Sequence, residues 1–391
     1  MNIQQLAKEQ EAYVIQCRRW LHAHPELGEH EVETTRFIVG ELEKQGIPVR
    51  TFEGITGCVA TIQGGAPGKT VMLRADIDAL PIQENPGKEY CSQNPGVMHA
   101  CGHDCHAAML LGAAKILWAH REELKGTVKL IFQMAEEIGR KSEEYVKRGA
   151  LEGVDAIFGM HVWSAMDMGT ASFESGPRMA CSDRFTIQIR GKSAHGSAPH
   201  QGRDAVLAAA TAVMALQSIP SRQNNPLDSL VVTVGMMNGG TKENILCDHV
   251  ELVGTVRAFD RAFRNSMPQR IEQVVEGAVQ SCGCTAECDY YFGPSPLIND
   301  WEDLVELAQG AARKELGEDS LKHLPKMTGA EDFSVYLEHI PGVYGYLGFR
   351  NPGKGIVCTH HHPAFDVDED VLVHGTGIYA QFALDYLEKK D

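Results

Sequence analysis

Apolar residues recur at three- and four-residue spacing through 3–21 and again through 32–45, the period of helices with one buried face. Pro25 ends the first and Gly46 closes the second, so two helices precede any sheet. Short apolar runs follow at 58–62, 70–74 and 127–132, with a helical stretch over 107–124 between the second and third. A fourth run, 155–160, comes after another helical segment. Strands alternating with helices predict an α/β fold: a mostly parallel sheet covered by helices on both faces. In such sheets, chemistry gathers at the carboxyl ends of strands.

The pattern changes after Cys181. Residues 185–189 alternate, 205–216 have helical spacing, 230–236 and 250–259 alternate again, and a helix runs through 271–279. One solvated face per strand and a pair of helices describe a small α+β unit with an antiparallel sheet, its exposed edge expected at or near 185–189. Glycine and proline punctuate 290–296, and helical spacing resumes at 303–316, 332–339 and 371–387. The chain thus reads as one domain, 1–182 plus 296–391, interrupted by an inserted domain, 183–295. It shows no internal repeat.

Composition narrows the function classes. Hydrophobic residues make up 43% and charged residues 23% of the 391, an ordinary globular balance. A formal charge of −16 argues against nucleic-acid binding, which draws on a basic surface. No run reaches the roughly 18 apolar residues of a membrane span, so a soluble, cytoplasmic protein is expected. The 11 cysteines are scattered and odd in number, which fits a reducing compartment better than a disulfide framework. Cys282, Cys284 and Cys288 lack the spacing of a zinc knuckle and read as small apolar side chains near a strand.

Metal-type side chains stand at five places where strands end or helices begin. These are Asp76 and Asp78 after the 70–74 run, the cluster from His99 through Cys101, His103, Asp104 and Cys105 to His106, the pair Glu136-Glu137, His161, and His360-His361-His362 before Pro363. Each alone reads equally well as a cap, a solvated helix start or a surface histidine. Together, on one rim of one sheet, they offer the thiolate, imidazole and carboxylate donors that hold borderline divalent metals.

The segments Leu21-His22-Ala23-His24-Pro25-Glu26-Leu27, Arg74-Ala75-Asp76-Ile77-Asp78-Ala79-Leu80-Pro81, His99-Ala100-Cys101-Gly102-His103-Asp104 and Ala330-Glu331-Asp332-Phe333, with the closing His-x-Pro, span essentially the whole chain. In this the sequence resembles the zinc aminoacylase and carboxypeptidase amidohydrolases, in the branch of hippurate hydrolase and the plant auxin-conjugate hydrolases. The resemblance implies two divalent metal ions, zinc first, with manganese, cobalt or nickel as alternatives. Their ligands would be Cys101, His103, Glu137, His161 and His361, with Glu136 as general base to a metal-bound hydroxide. Asp76, Asp78 and Asp104 would orient a ligand imidazole, although Asp104, at a helix start, reads equally as a cap. His22 and His24 read as structural. In the inserted lid and dimerisation domain, His195 would donate to the oxyanion, often across a dimer. Asn244 and Arg257 would meet the substrate, Arg257 through its planar fork, with pairing to a local acid as its alternative. Two positions depart from the branch: the stretch Asn244-Ile245-Leu246-Cys247-Asp248 lacks the proline relatives carry before the aspartate, and Met134 stands where many have proline. The implied reaction is hydrolysis of the amide of a small N-acyl amino acid by a homodimer. The rivals are a dipeptidase or carboxypeptidase, a non-catalytic metal-binding homologue, and a thiol enzyme using Cys101 or Cys105.

Overall fold

The computed structural model describes residues Met1–Lys389. The chain forms two compact units. The first comprises Met1–Gly176, Asn299–Pro325 and the chain from Val335 onward; the second comprises Pro177–Ile298 and Lys326–Ser334. The boundaries read from sequence, 183 and 295, fall a few residues inside these, and residues 326–334 were not expected in the second unit.

The first unit is built on a seven-stranded sheet, in the order Val49–Arg50, Cys58–Gln63, Lys125–Gln133, Ala66–Asp76, Ala156–Asp167, Gly342–Arg350, Ala171–Ser172. The four central strands run parallel, from Lys125–Gln133 to Gly342–Arg350. The flanking strands pair antiparallel. The expected α/β class holds. Helices His103–Ala119 and Asp370–Glu388 pack on each other and on Ala66–Asp76, and both are buried along most of their length. A helix apolar on nearly every face has to lie inside a large core, and here Phe158 and Phe382 stack with centroids 4.2 Å apart.

Two details differ from the sequence reading. The expected first helix is two, Ile3–Glu9 and Glu11–Ala23, separated where the Gln10 N–H turns tightly onto the Ala7 carbonyl at 3.0 Å. The strand Gly342–Arg350 was not expected at all. Its glycines interrupt the apolar pattern, yet close packing demands them: a Cβ on Gly345 would lie 2.1 Å from the Phe173 ring, and one on Gly348 2.2 Å from the Asp167 carbonyl oxygen.

The second unit holds a four-stranded antiparallel sheet, in the order Thr285–Tyr291, Asp183–Arg190, His249–Ala258, Leu230–Gly239. Phe185, Ile187 and Ile189 alternate inward with Val250, Leu252 and Val256, and the helices Ala205–Leu216 and Arg261–Gln280 complete that core. The side chains of Asp204 and Asp260 cap the two helices by accepting first-turn N–H groups. The edge expected at 185–189 is corrected: Asp183–Arg190 is paired on both sides, and the free edges belong to Leu230–Gly239 and Thr285–Tyr291. The added outer strand, Thr285–Tyr291, alternates only between exposed and half-buried positions, so no buried apolar face announces it. Among the described residues, no helix is long and apolar enough to cross a membrane.

Candidate metal centre

Parallel strands of the first unit deliver their side chains to one end, and the turns that follow them are unusual. Gly102, just before the helix that begins at His103, has φ 102°, and a Cβ there would sit 2.4 Å from Val162 Cγ2, so only glycine fits. Ala135 follows the strand Lys125–Gln133 with φ 56° and turns the chain so that Glu136 and Glu137 come next. His361 also has positive φ, 62°, and its N–H is held by the Ala100 carbonyl at 2.8 Å. Left-handed backbone at non-glycine residues is costly and collects where function needs it.

The donor atoms converge. Cys101, His103 and His161 form one group whose ligand atoms all lie within 4.8 Å of one another; Cys101, Glu137 and His361 form a second, and Cys101 belongs to both. Glu136 meets His103 and Glu137 in a further group. His103 Nδ1 faces the Asp78 carbonyl at 2.9 Å and the Asp78 carboxylate at 3.0 Å. Both are acceptors, so Nδ1 carries a proton, and Nε2 is the nitrogen that faces the cluster. His161 is fixed likewise: Nδ1 donates to the Val162 carbonyl at 2.6 Å, and Nε2 lies 3.4 Å from Cys101 Sγ. His361 Nε2 lies 3.2 Å from Glu137 Oε1.

These residues fit a metal site. His103 Nε2 is buried with no hydrogen-bond partner, and a buried polar atom left alone is expensive. It belongs to the donor groups, and thiolate, imidazole and carboxylate together suit zinc and its neighbours. Burial disfavours the charged His103 ring, but Asp76 and Asp78 outweigh it and push it up to about 10, so a cation at Nε2 would take the place of a proton. Burial and the neighbouring carboxylates of Glu137 and Glu136 push the Cys101 thiol far up, so a cation is what would hold it as thiolate. Glu137 would be raised by burial, yet its contact with His361 and the field of His103 draw it down.

The aspartates divide differently from the sequence expectation. Asp78 bonds the imidazole of His103, one of the candidate ligands. Asp76 instead bonds His106 Nδ1 at 2.5 Å and Arg74 at 2.6 Å, and stands 3.8 Å from His103 Nε2. His106 Nε2 in turn accepts the Val162 N–H at 2.9 Å, pinning the strand beside His161. Asp104 bonds Arg18 at 2.9 Å and His22 at 2.7 Å, far from any ligand ring, and it caps nothing. His22, with Glu84 at 3.1 Å on its other nitrogen, is a structural histidine. His360 is held by Ser164 at 3.0 Å and the Val162 carbonyl at 2.9 Å. Sequence reading missed Glu31 and Tyr145, which grip the backbone before Glu136; Glu31 lies far from it along the chain, Tyr145 lies past the turn, and no spacing announces either.

In the second unit, His195 is exposed and its loop pairs with the next: the Gly196 N–H reaches the Asn244 carbonyl and the Leu246 N–H the Ala194 carbonyl, both at 2.8 Å. This sets His195 opposite Ile245, the residue after Asn244. The Ser197 N–H donates to His195 Nδ1 at 3.1 Å, so the ring proton sits on Nε2. Arg257 leans on Thr255 Oγ1 and the Val256 carbonyl and, among the described residues, pairs with no acid.

A model of the peptidase family M20/M25/M40 matches residues 72–385. N-acetyl-L-cysteine deacetylase of Bacillus subtilis is 42% identical over 93% of this chain and 85% of its own length. An IAA-amino acid hydrolase of Arabidopsis thaliana is 40% identical over 96% and 86%. The crystal structure of a Bacillus subtilis protein described as a dinuclear metal binding peptidase covers 98% of this chain and 100% of its own, with a TM-score of 0.87 and 37% identity. In sequence along nearly its whole length, and in fold, the chain is a member of the peptidase family M20/M25/M40.

Proposed function

We propose that this protein hydrolyses the amide bond of an N-acyl amino acid, releasing the acid and the amino acid, with two divalent cations held by Cys101, His103, Glu137, His161 and His361. The observation that carries the reading is the sharing of Cys101 between two donor groups, with the buried, partnerless His103 Nε2 among their atoms. Bound cations would polarise the scissile carbonyl and make water acidic enough to attack near neutral pH. Glu136 takes the proton from the attacking water as its oxygen bonds to the carbonyl carbon, and hands it to the nitrogen as the C–N bond breaks. Glu137 meets both Cys101 and His361 while Glu136 does not, which supports Glu137 as ligand and Glu136 as base. His195 Nε2–H is the donor assigned to the oxyanion, and Arg257, lacking an acidic partner, is assigned to the substrate carboxylate together with Asn244. The similarity to a deacetylase and to an amino acid conjugate hydrolase supports an acyl group on the amino side.

The same reading takes the second unit as a lid and dimerisation domain, and zinc as the first candidate metal. Prolonged chelation should abolish hydrolysis of N-acetyl amino acids, followed by ninhydrin detection of the freed amine. Zinc, manganese or cobalt should restore it. Full turnover by metal-free protein, or inhibition by thiol alkylation with indifference to chelators, would refute the proposal.

A further inference from the structure

The turn that carries the proposed base and its neighbouring ligand is held from outside at three of four successive residues. The Met134 N–H donates to the Tyr145 hydroxyl at 3.0 Å, the Ala135 N–H to Glu31 Oε1 at 2.8 Å, and the Glu137 N–H to Asp78 Oδ2 at 3.0 Å. Ala135 is the left-handed residue of the turn, with φ 56° and ψ 40°. An L-residue leaves that conformation unless its surroundings hold it there.

Glu31 is what does so. Its side chain is fully buried, one oxygen accepting the Ala135 N–H and the other the Thr56 hydroxyl. Its own carbonyl accepts from Thr35 N at 3.0 Å and from Thr35 Oγ1, whose oxygen in turn accepts the Gly57 N–H at 2.7 Å. Tyr145 closes the frame by donating to the Thr56 carbonyl at 2.6 Å. The carboxylate stands immediately before the helix Val32–Lys44 but caps none of its N–H groups, so helix formation does not explain it.

We infer that Glu31 is a positioning residue for catalysis: through the Ala135 N–H it locks the left-handed turn that aims Glu136 and Glu137 into the metal centre. The inference rests on the assignment of Glu136 as base. Glu31 touches neither substrate nor cations. It contributes by removing the alternative, relaxed backbone in which the next two carboxylates swing away.

The test compares Glu31→Ala, Glu31→Gln and Thr56→Val with Glu136→Gln in the zinc-loaded enzyme, with Leu42→Ala as a control that loosens the same helix at a buried site remote from the turn. Three quantities are read: kcat and KM for an N-acetyl amino acid, zinc content, and hydrogen exchange of the amides of residues 134–137. Glu31→Ala should lower kcat by about 10–100-fold with KM little changed, as misaimed groups do, and should speed exchange at Ala135. Gln keeps a carbonyl acceptor for that N–H and should restore most of the turnover and the slow exchange. Thr56→Val, which leaves the Ala135 contact in place while removing the hydroxyl from the second Glu31 oxygen and from Met134 Sδ, should fall between, and it decides the matter should Glu31→Ala fail to fold. Wild-type kcat and exchange in Thr56→Val and Glu31→Ala, with Glu136→Gln inactive, would overturn the inference and leave the base assignment standing. An active Glu136→Gln would overturn the base assignment instead, with the exchange data still reporting on the turn. Equal losses of kcat in Leu42→Ala would reduce Glu31 to a stabilising residue.

Discussion

Asp78 shows how much one carboxylate can organise. One oxygen accepts from His103 Nδ1 and the other from the Glu137 N–H, so a single side chain holds two of the proposed ligands. Asp78→Ala should weaken metal binding by about 10–100-fold, the usual cost of removing such a partner, measured by competition with a chromophoric chelator. Asp78→Asn should fare little better, because an amide can accept on one side only. Glu136→Gln should behave oppositely, keeping its metal while kcat falls by roughly 10²–10⁴. Loss of a metal equivalent there, with normal turnover in the residual holoenzyme, would exchange the roles of Glu136 and Glu137. Sequence alone makes these side chains visible as donors but cannot say whom each one meets. Asp76 and Asp78 are two residues apart after the same strand, yet one holds a ligand ring and the other holds His106. Adjacency along a chain leaves that choice to the third dimension.

The strands of the first sheet with continuous apolar runs were legible, because burial on both faces writes itself into consecutive residues. Gly342–Arg350 was not, since its small residues answer to neighbours far away in sequence. A similar close fit governs two helices. Glu315, on Glu302–Leu316, is 2% exposed, and a Cβ on Gly377 of the facing helix Asp370–Glu388 would lie 2.2 Å from its Oε2. Burial pushes this carboxyl up to about 7 from an ordinary 4.5. The folded state therefore holds a proton that the unfolded chain releases, and stability should fall as pH rises from about 4.5 through 7, then level off. Thermal melts should show Glu315→Gln matching the parent at pH 4.5 and exceeding it at pH 8. A parallel pH dependence in the two proteins would refute this. Gly377→Ala should lower Tm at both pH values.

At the scale of the whole molecule, the reading makes the second unit the dimerisation element. Its helix Ala205–Leu216 exposes Leu207 and Met214, and its free edge strand Leu230–Gly239 exposes Met236 and Met237. Such apolar surface and an unpaired edge together suit a second copy of the chain. Sedimentation should find a dimer, and Leu207→Glu with Met214→Lys should shift it to monomer. If His195 serves the partner's centre, mixing inactive His195→Ala and Glu136→Gln under subunit exchange should recover part of the activity, because one site of the mixed dimer keeps both groups. No recovery despite proven exchange would confine His195 to its own subunit.

The central strand Gly342–Arg350 lies beside Ala156–Asp167, with the second unit's sheet between them along the chain. On the ribosome this order becomes a waiting time. At roughly 5–20 residues per second, the edge of Ala156–Asp167 emerges some 9–35 s before its partner. For that interval the nascent chain carries an open apolar strand edge, and His361, the last donor, has yet to be made. Four of the five proposed donors can gather early, but the proposed centre can close only once His361 has emerged. A chain cut short before that strand would expose an unpaired edge and lack the last of the proposed donors.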